Sequence, residues 1–118
     1  MNTTLSTEAL TDIAVAALED IKAKRITILD VRHLTSLFDT MIIANGDSTR
    51  QVKALGDHVR EKLKEAGAEI VGTEGAKAAE WVLVDAGGVV VNVMHPAVRQ
   101  YYNLEELWGG AREVRAAA

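Results

Sequence analysis

The fold is decided by the stretch Trp81-Val-Leu-Val-Asp-Ala-Gly-Gly-Val-Val-Val-Asn-Val-Met94. Two runs rich in Val meet at Asp85-Ala-Gly-Gly88, a pattern typical of a β-hairpin with a glycine-bearing turn. Val is stiff at χ1 and fits a pleated sheet better than a helix, which supports two strands here. The sequence therefore predicts two adjacent antiparallel strands joined by a tight turn.

Apolar side chains fall on both faces of this predicted hairpin. Successive side chains of a strand point to opposite faces, so Trp81 and Leu83 share one face and Val82 and Val84 share the other. A strand with one face in water would alternate apolar and polar residues, and neither of these strands does. Both faces of the hairpin must therefore be covered.

Length, composition and charge limit the possible classes of protein. The 118 residues suit one domain, and the absence of Cys excludes disulfides and thiolate metal sites. No signal-peptide pattern and no run of about 20 apolar residues occur, so we expect a soluble cytoplasmic domain without membrane contact. The 17 Asp and Glu exceed the 13 Lys and Arg. That balance argues against free nucleic acid as a partner, and it would suit a basic protein surface.

Two amphipathic helices are predicted. Ser6 or Thr7 can cap the first, whose apolar residues continue at helical spacing to Ile21. The second begins at Ser48, with Gln51 three residues later as in a capping box, and ends at Gly67. Gly56 in its middle costs about 1 kcal/mol relative to Ala, and we expect it to permit close packing on the sheet.

The remaining elements complete an α/β domain. Short strands are predicted over 26–31, 38–44 and 69–72, and short helical turns follow Pro96 as far as Trp108. We predict a mixed sheet of about five strands with two main helices, forming one domain over 1–108 with a flexible tail over 109–118. Two helices cover about one face of such a sheet. The other face is left to the C-terminal turns or to another molecule.

No catalytic, cofactor or metal site is predicted. The stretch Asn45-Gly-Asp-Ser-Thr-Arg50 joins a strand to a helix N-terminus, where phosphates can bind, but it matches neither the P-loop nor the dinucleotide motif. Nucleotidyltransferases would need an Asp-x-Asp pair for Mg²⁺, and the sequence has none. The three histidines, His33, His58 and His95, lack metal-ligand spacing. A simple turn with a helix cap is the favoured interpretation of this stretch.

Four of the five aromatic residues lie in or after the hairpin. They are Trp81, Tyr101, Tyr102 and Trp108, and Phe38 is the fifth. Trp and Tyr often belong to the core, and they are also enriched at the centres of protein interfaces. Both interpretations remain open from composition alone.

Several motifs together resemble the ribosomal silencing factor family, also called Iojap-like. They are Asp39 to Val52 with its Gly-x-Ser-x-Arg-Gln pattern, Glu74-Gly75, the two hairpin strands, and Arg99 to Trp108 with its Tyr-x-Leu-Glu-x-Leu-Trp pattern. The resemblance spans roughly Leu5 to Trp108. Two positions depart from the family pattern, because the family usually has His at the position of Asn92 and Gly-Asp at Gly87-Gly88. Asn92 can still form hydrogen bonds but cannot gain a charge.

The resemblance implies a nucleotidyltransferase-like topology without that enzymatic activity, and a homodimer. It also implies a translational repressor that binds a protein on the subunit-joining face of the large ribosomal subunit. Such a repressor blocks association with the small subunit, chiefly under nutrient limitation or in stationary phase. The alternatives are a dimeric scaffold for another partner or a nucleotidyltransferase acting through the Gly46–Ser48 turn.

We predict that the partner contacts one face of the hairpin. The predicted apolar anchor is Trp81, Leu83 and Met94, surrounded by Glu74, Asp85 and Tyr102. In this hypothesis Asn92 also points to the partner. The inward set is Val82, Val84, Val89, Val91 and Val93. A one-residue slip in register would exchange the two faces.

Overall fold

In the computed structural model, which describes residues 5–117, the chain forms one mixed sheet with helices on both faces. The helices are α1 (Thr7–Asp20), α2 (Thr49–Glu65), α3 (Pro96–Tyr102) and α4 (Leu104–Leu107). The strands are β1 (Lys24–Asp30), β2 (Thr40–Asn45), β3 (Gly72–Glu74), β4 (Trp81–Asp85), β5 (Val89–Met94) and β6 (Arg112–Ala117). Their order is β3-β4-β5-β2-β1-β6, and β2 and β5 are parallel while the other neighbours are antiparallel. The predicted α/β class and mixed sheet with two main helices are confirmed.

The predicted hairpin is strands β4 and β5. Trp81 lies opposite Met94 and Leu83 opposite Asn92 in the antiparallel register. At the turn, the N–H of Gly87 donates to Asp85 Oδ1 at 2.8 Å, and Gly87 has a φ of +87°. A positive φ favours glycine because it has no Cβ, so the glycine-bearing turn is confirmed.

The inward face of the hairpin packs under the two long helices. Its members in the larger core are Val82, Val84, Val89, Val91 and Val93, as the sequence predicts. Ser6 Oγ accepts the N–H of Ala9 at 3.1 Å and Ser48 Oγ accepts that of Gln51 at 3.1 Å. These bonds satisfy backbone donors that a helix start leaves unpaired, so both predicted caps are confirmed.

Gly56 of α2 lies directly on Val82 of β4. A Cβ added to Gly56 would come within 2.6 Å of Val82 Cγ1, closer than real carbon contacts allow. Val82 is only 1% exposed and has little space to move. The predicted close approach of helix and sheet at Gly56 is therefore confirmed.

A second, smaller core lies on the opposite face of the sheet. Its buried residues are Leu29, Val31, Met41, Ile43, Met94 and Leu104. Val98 and Trp108, from α3 and from the end of α4, pack against it. The C-terminal helices thus cover part of this face, and Trp81 and Leu83 of β4 remain half-buried on it.

The number of strands is corrected from about five to six. The additional strand, β6, lies within the segment for which the sequence predicts a flexible tail, and it pairs with β1 from Asp30 opposite Arg112 to Ile26 opposite Ala117. This pairing uses backbone groups, which leave no apolar pattern in the sequence. The strand predicted over 69–72 lies instead at Gly72–Glu74. Within residues 5–117, none of the helices has the length and apolar character needed to cross a bilayer.

Candidate partner-binding surface

Trp81 lies at the start of β4 with its indole half-buried on the smaller-core face. The indole Nε1–H donates to Asn92 Oδ1 at 2.8 Å. The ring centroid lies 5.0 Å from that of Tyr102, which approaches from α3. Aromatic rings at this separation attract each other, and the hydrogen bond fixes the direction of the indole. Trp81 is therefore held from beneath by β5 and from one side by α3.

The position of Tyr102 follows from how α3 begins. His95 Nδ1 accepts the N–H of Ala97 at 3.2 Å, and Pro96 occupies the first turn, where a missing N–H costs nothing. The helix ends at Asn103, whose φ of 49° is left-handed. Tyr102 is 54% exposed although it packs on Trp81. Its neighbour Tyr101 is 82% exposed and meets Tyr102 edge to face at 5.1 Å.

Leu83 and Glu74 continue this surface towards the edge of the sheet. They lie opposite each other in the β3–β4 register. Leu83 is half-buried and Glu74 is exposed. Trp81, Leu83, Glu74 and Tyr102 are here called the hairpin surface. It combines apolar and aromatic side chains with one exposed carboxylate.

Three of the side chains predicted to contact the partner, Met94, Asn92 and Asp85, lie beneath the surface or bind the hairpin turn. Met94 is 0% exposed and Asn92 is 1% exposed, so both lie beneath the surface. The physical reason is that α3 and α4 fold back over this face and cover the end of β5. Asp85 is half-buried, and its carboxylate binds the hairpin turn. Met94 and Asn92 thus support Trp81 from below, and the structure brings Trp81, Leu83, Glu74 and Tyr102 to the exterior.

Arg99 of α3 is a buried charge that the sequence interpretation did not single out. It is 5% exposed. Its Nη1 donates to Arg25 O at 2.6 Å and to Asn45 Oδ1 at 2.9 Å. Its Nη2 donates to Thr27 Oγ1 at 3.0 Å and to Glu105 Oε2 at 2.7 Å, and Nε donates to the same Glu105 oxygen at 3.1 Å. A guanidinium has five N–H donors, and these bonds account for all five.

The Arg99 bonds join four elements at one end of the sheet. Arg25 lies in a bulge of β1 with a φ of 51°, which turns its carbonyl towards Arg99. Partial burial disfavours the charged form of Glu105, but the hydrogen bonds and charge of Arg99 outweigh it and lower the pKa of Glu105. Removing one partner of a buried ion pair strongly destabilises a protein. The sequence offers one weak signal of this network, since Arg99 and Glu105 both lie in the motif preceding Trp108.

The turn from Asn45 to Arg50 acts as a helix cap. Besides the Ser48 bond, Gln51 Oε1 accepts the N–H of Asp47 at 2.6 Å. A Cβ on Gly46 would come within 2.8 Å of Val52 Cγ2, so the backbone here packs tightly on α2. Across the described residues 5–117, no group of three His, Cys, Asp or Glu side chains is placed to hold a metal ion.

The loop after β1 is held by a local ion pair. Asp30 Oδ2 accepts Arg32 Nη2 at 2.8 Å, and Asp30 Oδ1 accepts the N–H of Arg32 at 3.0 Å. The side-chain hydrogen bond from Arg32 is the main cause that lowers the pKa of Asp30 from 3.8 to about 2. The loop also carries Leu37, which is 82% exposed. Exposed apolar side chains therefore occur beyond the hairpin surface.

Over most of its length the chain is similar to ribosomal silencing factors. The family described as "Ribosomal silencing factor during starvation" matches residues 4–118. A relative from Chromobacterium violaceum named "Ribosomal silencing factor RsfS" is 61% identical over 105 residues, covering 89% of this chain and 86% of the relative. A crystal structure of a Chromobacterium violaceum protein superposes with a TM-score of 0.87 at 60% identity, covering 89% of this chain and 88% of that one.

A more distant similarity extends to a eukaryotic organelle. The mouse protein "Mitochondrial assembly of ribosomal large subunit protein 1" is 32% identical over 100 residues. That match covers 82% of this chain and 44% of the mouse protein. The similarity therefore concerns one part of that longer relative.

Proposed function

Because the chain belongs to the ribosomal silencing factor family, we propose that it represses translation by binding the large ribosomal subunit. In this proposal it binds a ribosomal protein on the subunit-joining face and prevents the small subunit from associating. It acts in the cytoplasm, chiefly under nutrient limitation or in stationary phase. The action is obstruction by a bound protein and requires no catalysis. A relative named for assembly of the large ribosomal subunit supports the choice of that subunit.

The hairpin surface is the observation that carries the proposal. Trp and Tyr contribute most to protein interfaces because they bury a large area at little entropic cost. Trp81 is held in a fixed orientation by Asn92 and Tyr102, with bonds and contacts of 2.8 Å and 5.0 Å. A fixed anchor loses little freedom on binding, which favours affinity. Leu83 and Tyr102 extend the apolar area around it.

Charge agrees with a basic partner. The chain has a net charge of −4, and Glu74 is exposed within the hairpin surface. Ribosomal proteins contact RNA phosphates and are rich in Lys and Arg, as electrostatic binding of nucleic acid requires. Opposite charges on the two surfaces would steer association and select the partner. We therefore expect binding to weaken as the salt concentration rises.

The direct test is association of purified ribosomal subunits. Large subunits are incubated with a molar excess of the protein, small subunits are added, and the fraction of joined ribosomes is measured by light scattering and sedimentation. We expect the joined fraction to fall as the protein concentration rises. Adding the protein after joining tests whether it acts on free large subunits. Unchanged joining at large excess would refute the proposal.

We also propose that the protein forms a homodimer, as the resemblance implies. Exposed apolar side chains are available for self-association, including Leu37, Tyr101 and Leu107 at 82%, 82% and 73% exposure. Light scattering coupled to size-exclusion chromatography would measure the mass across a concentration series. A mass that remains that of one chain at every concentration would contradict the dimer. If a dimer forms, repeating the measurement with large subunits added would show whether the dimer and the ribosome compete for the same surface.

A further inference from the structure

Arg99 connects α3, the helix that contributes Tyr102 to the hairpin surface, to strands β1 and β2. Its own helix, α3, carries Tyr102, and the Arg99 carbonyl accepts the N–H of Asn103 at 2.8 Å where that helix ends. Its guanidinium reaches Arg25 and Thr27 on β1 and Asn45 at the end of β2. The strand order places β5 and β2 between β4, which carries Trp81, and β1. Arg99 thus fixes α3 across the end of the sheet.

Besides Arg99, α3 is held at its start by the hydrogen bond of 2.9 Å from the N–H of His95 to Glu80 O and beyond its end by the buried Leu104. The helix is 7 residues long, and isolated helices of this length are unstable in water. In the described part of the chain, Arg99 is its one buried residue, and Val98 adds a partly buried contact with the smaller core. Tyr101 and Tyr102 lie mostly in solvent. Between these anchors, the guanidinium bonds tie the middle of α3 to β1 and β2, close to Tyr102.

We propose that Arg99 is a positioning residue for partner binding, holding α3 and α4 so that Tyr102 packs on Trp81. This inference rests on the proposed function, because it assumes that the hairpin surface contacts the large subunit. Arg99 itself is 5% exposed and does not present its guanidinium to a partner. Its effect passes through the 5.0 Å contact between the rings of Tyr102 and Trp81. Lys cannot replace it, because an ammonium has three donors and no planar fork.

The experiment compares Arg99→Ala with the wild-type protein and with Arg60→Ala as a matched control. Arg60 is exposed on α2, which packs on the opposite face of the sheet. Binding to purified large subunits is measured together with amide hydrogen exchange along the chain. For Arg99→Ala we expect binding about tenfold weaker or more. Faster exchange should be confined to residues 95–108, and Arg60→Ala should match the wild type.

Chemical rescue separates positioning from a general loss of stability. Arg99→Ala leaves a space lined by Arg25 O, Asn45 Oδ1, Thr27 Oγ1 and Glu105 Oε2, which guanidinium ion can fill. At equal ionic strength, low, non-denaturing guanidinium chloride should give tighter binding and slower exchange over 95–108 than sodium chloride does. The wild-type protein should show no such difference between the two salts. If Arg99→Ala were instead unfolded as a whole, guanidinium would increase the unfolded fraction and the exchange would become faster.

The outcomes are distinguishable. If the wild type fails to bind large subunits, the proposed function fails, and this is measured first. If the wild type binds and Arg99→Ala binds equally well, the positioning role is refuted. Loss of binding with fast exchange throughout α1 and α2 and no rescue also refutes it. If Arg99→Ala does not fold, Thr27→Val removes one acceptor far from the hairpin surface, and unchanged binding and exchange over 95–108 would overturn the proposal.

Discussion

The indole Nε1–H of Trp81 donates a hydrogen bond of 2.8 Å to Oδ1 of Asn92, its diagonal neighbour on the adjacent strand. Asn92 is 1% exposed, and its Nδ2 lies 3.5 Å from the backbone oxygen of Ile42 on β2. A buried amide within a strand of valines is costly unless its polar atoms are paired. The bond therefore explains both the polar residue in β5 and the fixed orientation of Trp81. Asn92 performs this role without a charge.

Replacing Asn92 with Leu should destabilise the protein because the indole N–H loses its acceptor. We expect the free energy of unfolding to fall by about 1–2 kcal/mol, measured by urea denaturation. Trp81→Phe removes the other partner of this bond, the indole N–H donor. In that background Asn92→Leu should cost clearly less, with a coupling energy of about 1 kcal/mol. Equal costs of Asn92→Leu in both backgrounds would show that the hydrogen bond contributes nothing.

Trp81→Ala should weaken binding to the large ribosomal subunit by about 2 kcal/mol or more, as for other interface tryptophans. A fully buried tryptophan would instead cost about 3–5 kcal/mol of folding stability. Trp81 is only half-buried, so we expect a smaller loss of stability together with the loss of binding. Co-sedimentation with large subunits measures binding, and circular dichroism confirms that the variant is folded. Undiminished binding would remove Trp81 from the proposed site.

Local patterns were sufficient to predict the hairpin and the helix caps. The inward valines follow from the alternation of side chains along each strand, which is a property of neighbouring residues. The burial of Met94 could not be predicted in this way, because it depends on α3 and α4 folding back over the sheet. Arg99 of α3 bonds to Arg25 and Asn45, which lie 74 and 54 residues away in sequence. No local pattern reports such contacts.

The β6 strand was missed for a different physical reason. Its pairing with β1 is made by backbone groups, and the residues 112–117 carry no alternation of apolar and polar types. An edge strand of this kind needs only a free neighbouring edge, which β1 provides. For the hairpin surface, by contrast, residue type was informative. Trp81, Leu83, Glu74 and Tyr102 were selected because their types suit an interface, and all four reach the exterior.

The Asp30–Arg32 ion pair should make stability depend on pH in the acid range. The Arg32 hydrogen bond lowers the pKa of Asp30 from 3.8 to about 2 in the folded chain. The unfolded chain therefore takes up the proton first as pH falls. The contribution is present above pH 3.8 and is lost progressively as the pH falls to about 2. Asp30→Asn should flatten the dependence of the unfolding free energy in this window, measured by urea denaturation at each pH.

The matched variant for this pair is Arg32→Gln, which removes the cause of the lowered pKa. It should flatten the same pH window as Asp30→Asn, and the double variant should add little, because both changes remove one interaction. A wild-type curve that is as flat as that of Asp30→Asn between pH 3.8 and about 2 would show that the pair does not form in solution.

Gly56→Ala should destabilise the protein even though Ala favours helices. The substitution gains about 1 kcal/mol of helix propensity, but overpacking a core costs about 1–3 kcal/mol. The new methyl would lie 2.6 Å from Val82 Cγ1, and the side chain of Val82 is enclosed. We expect a net loss of about 1 kcal/mol in the free energy of unfolding, measured by chemical denaturation.

The sign of the Gly56 effect should reverse when Val82 is shortened. Val82→Ala removes the methyl group that would lie 2.6 Å from the Cβ of an alanine at position 56. In that background Gly56→Ala should stabilise the protein by up to about 1 kcal/mol, because the helix-propensity gain is then opposed only by the 3.3 Å approach to the Cβ of residue 82. This reversal distinguishes a packing constraint between α2 and β4 from a backbone requirement at Gly56. A loss of the same size in both backgrounds would show that the contact with Val82 is not the reason for the glycine.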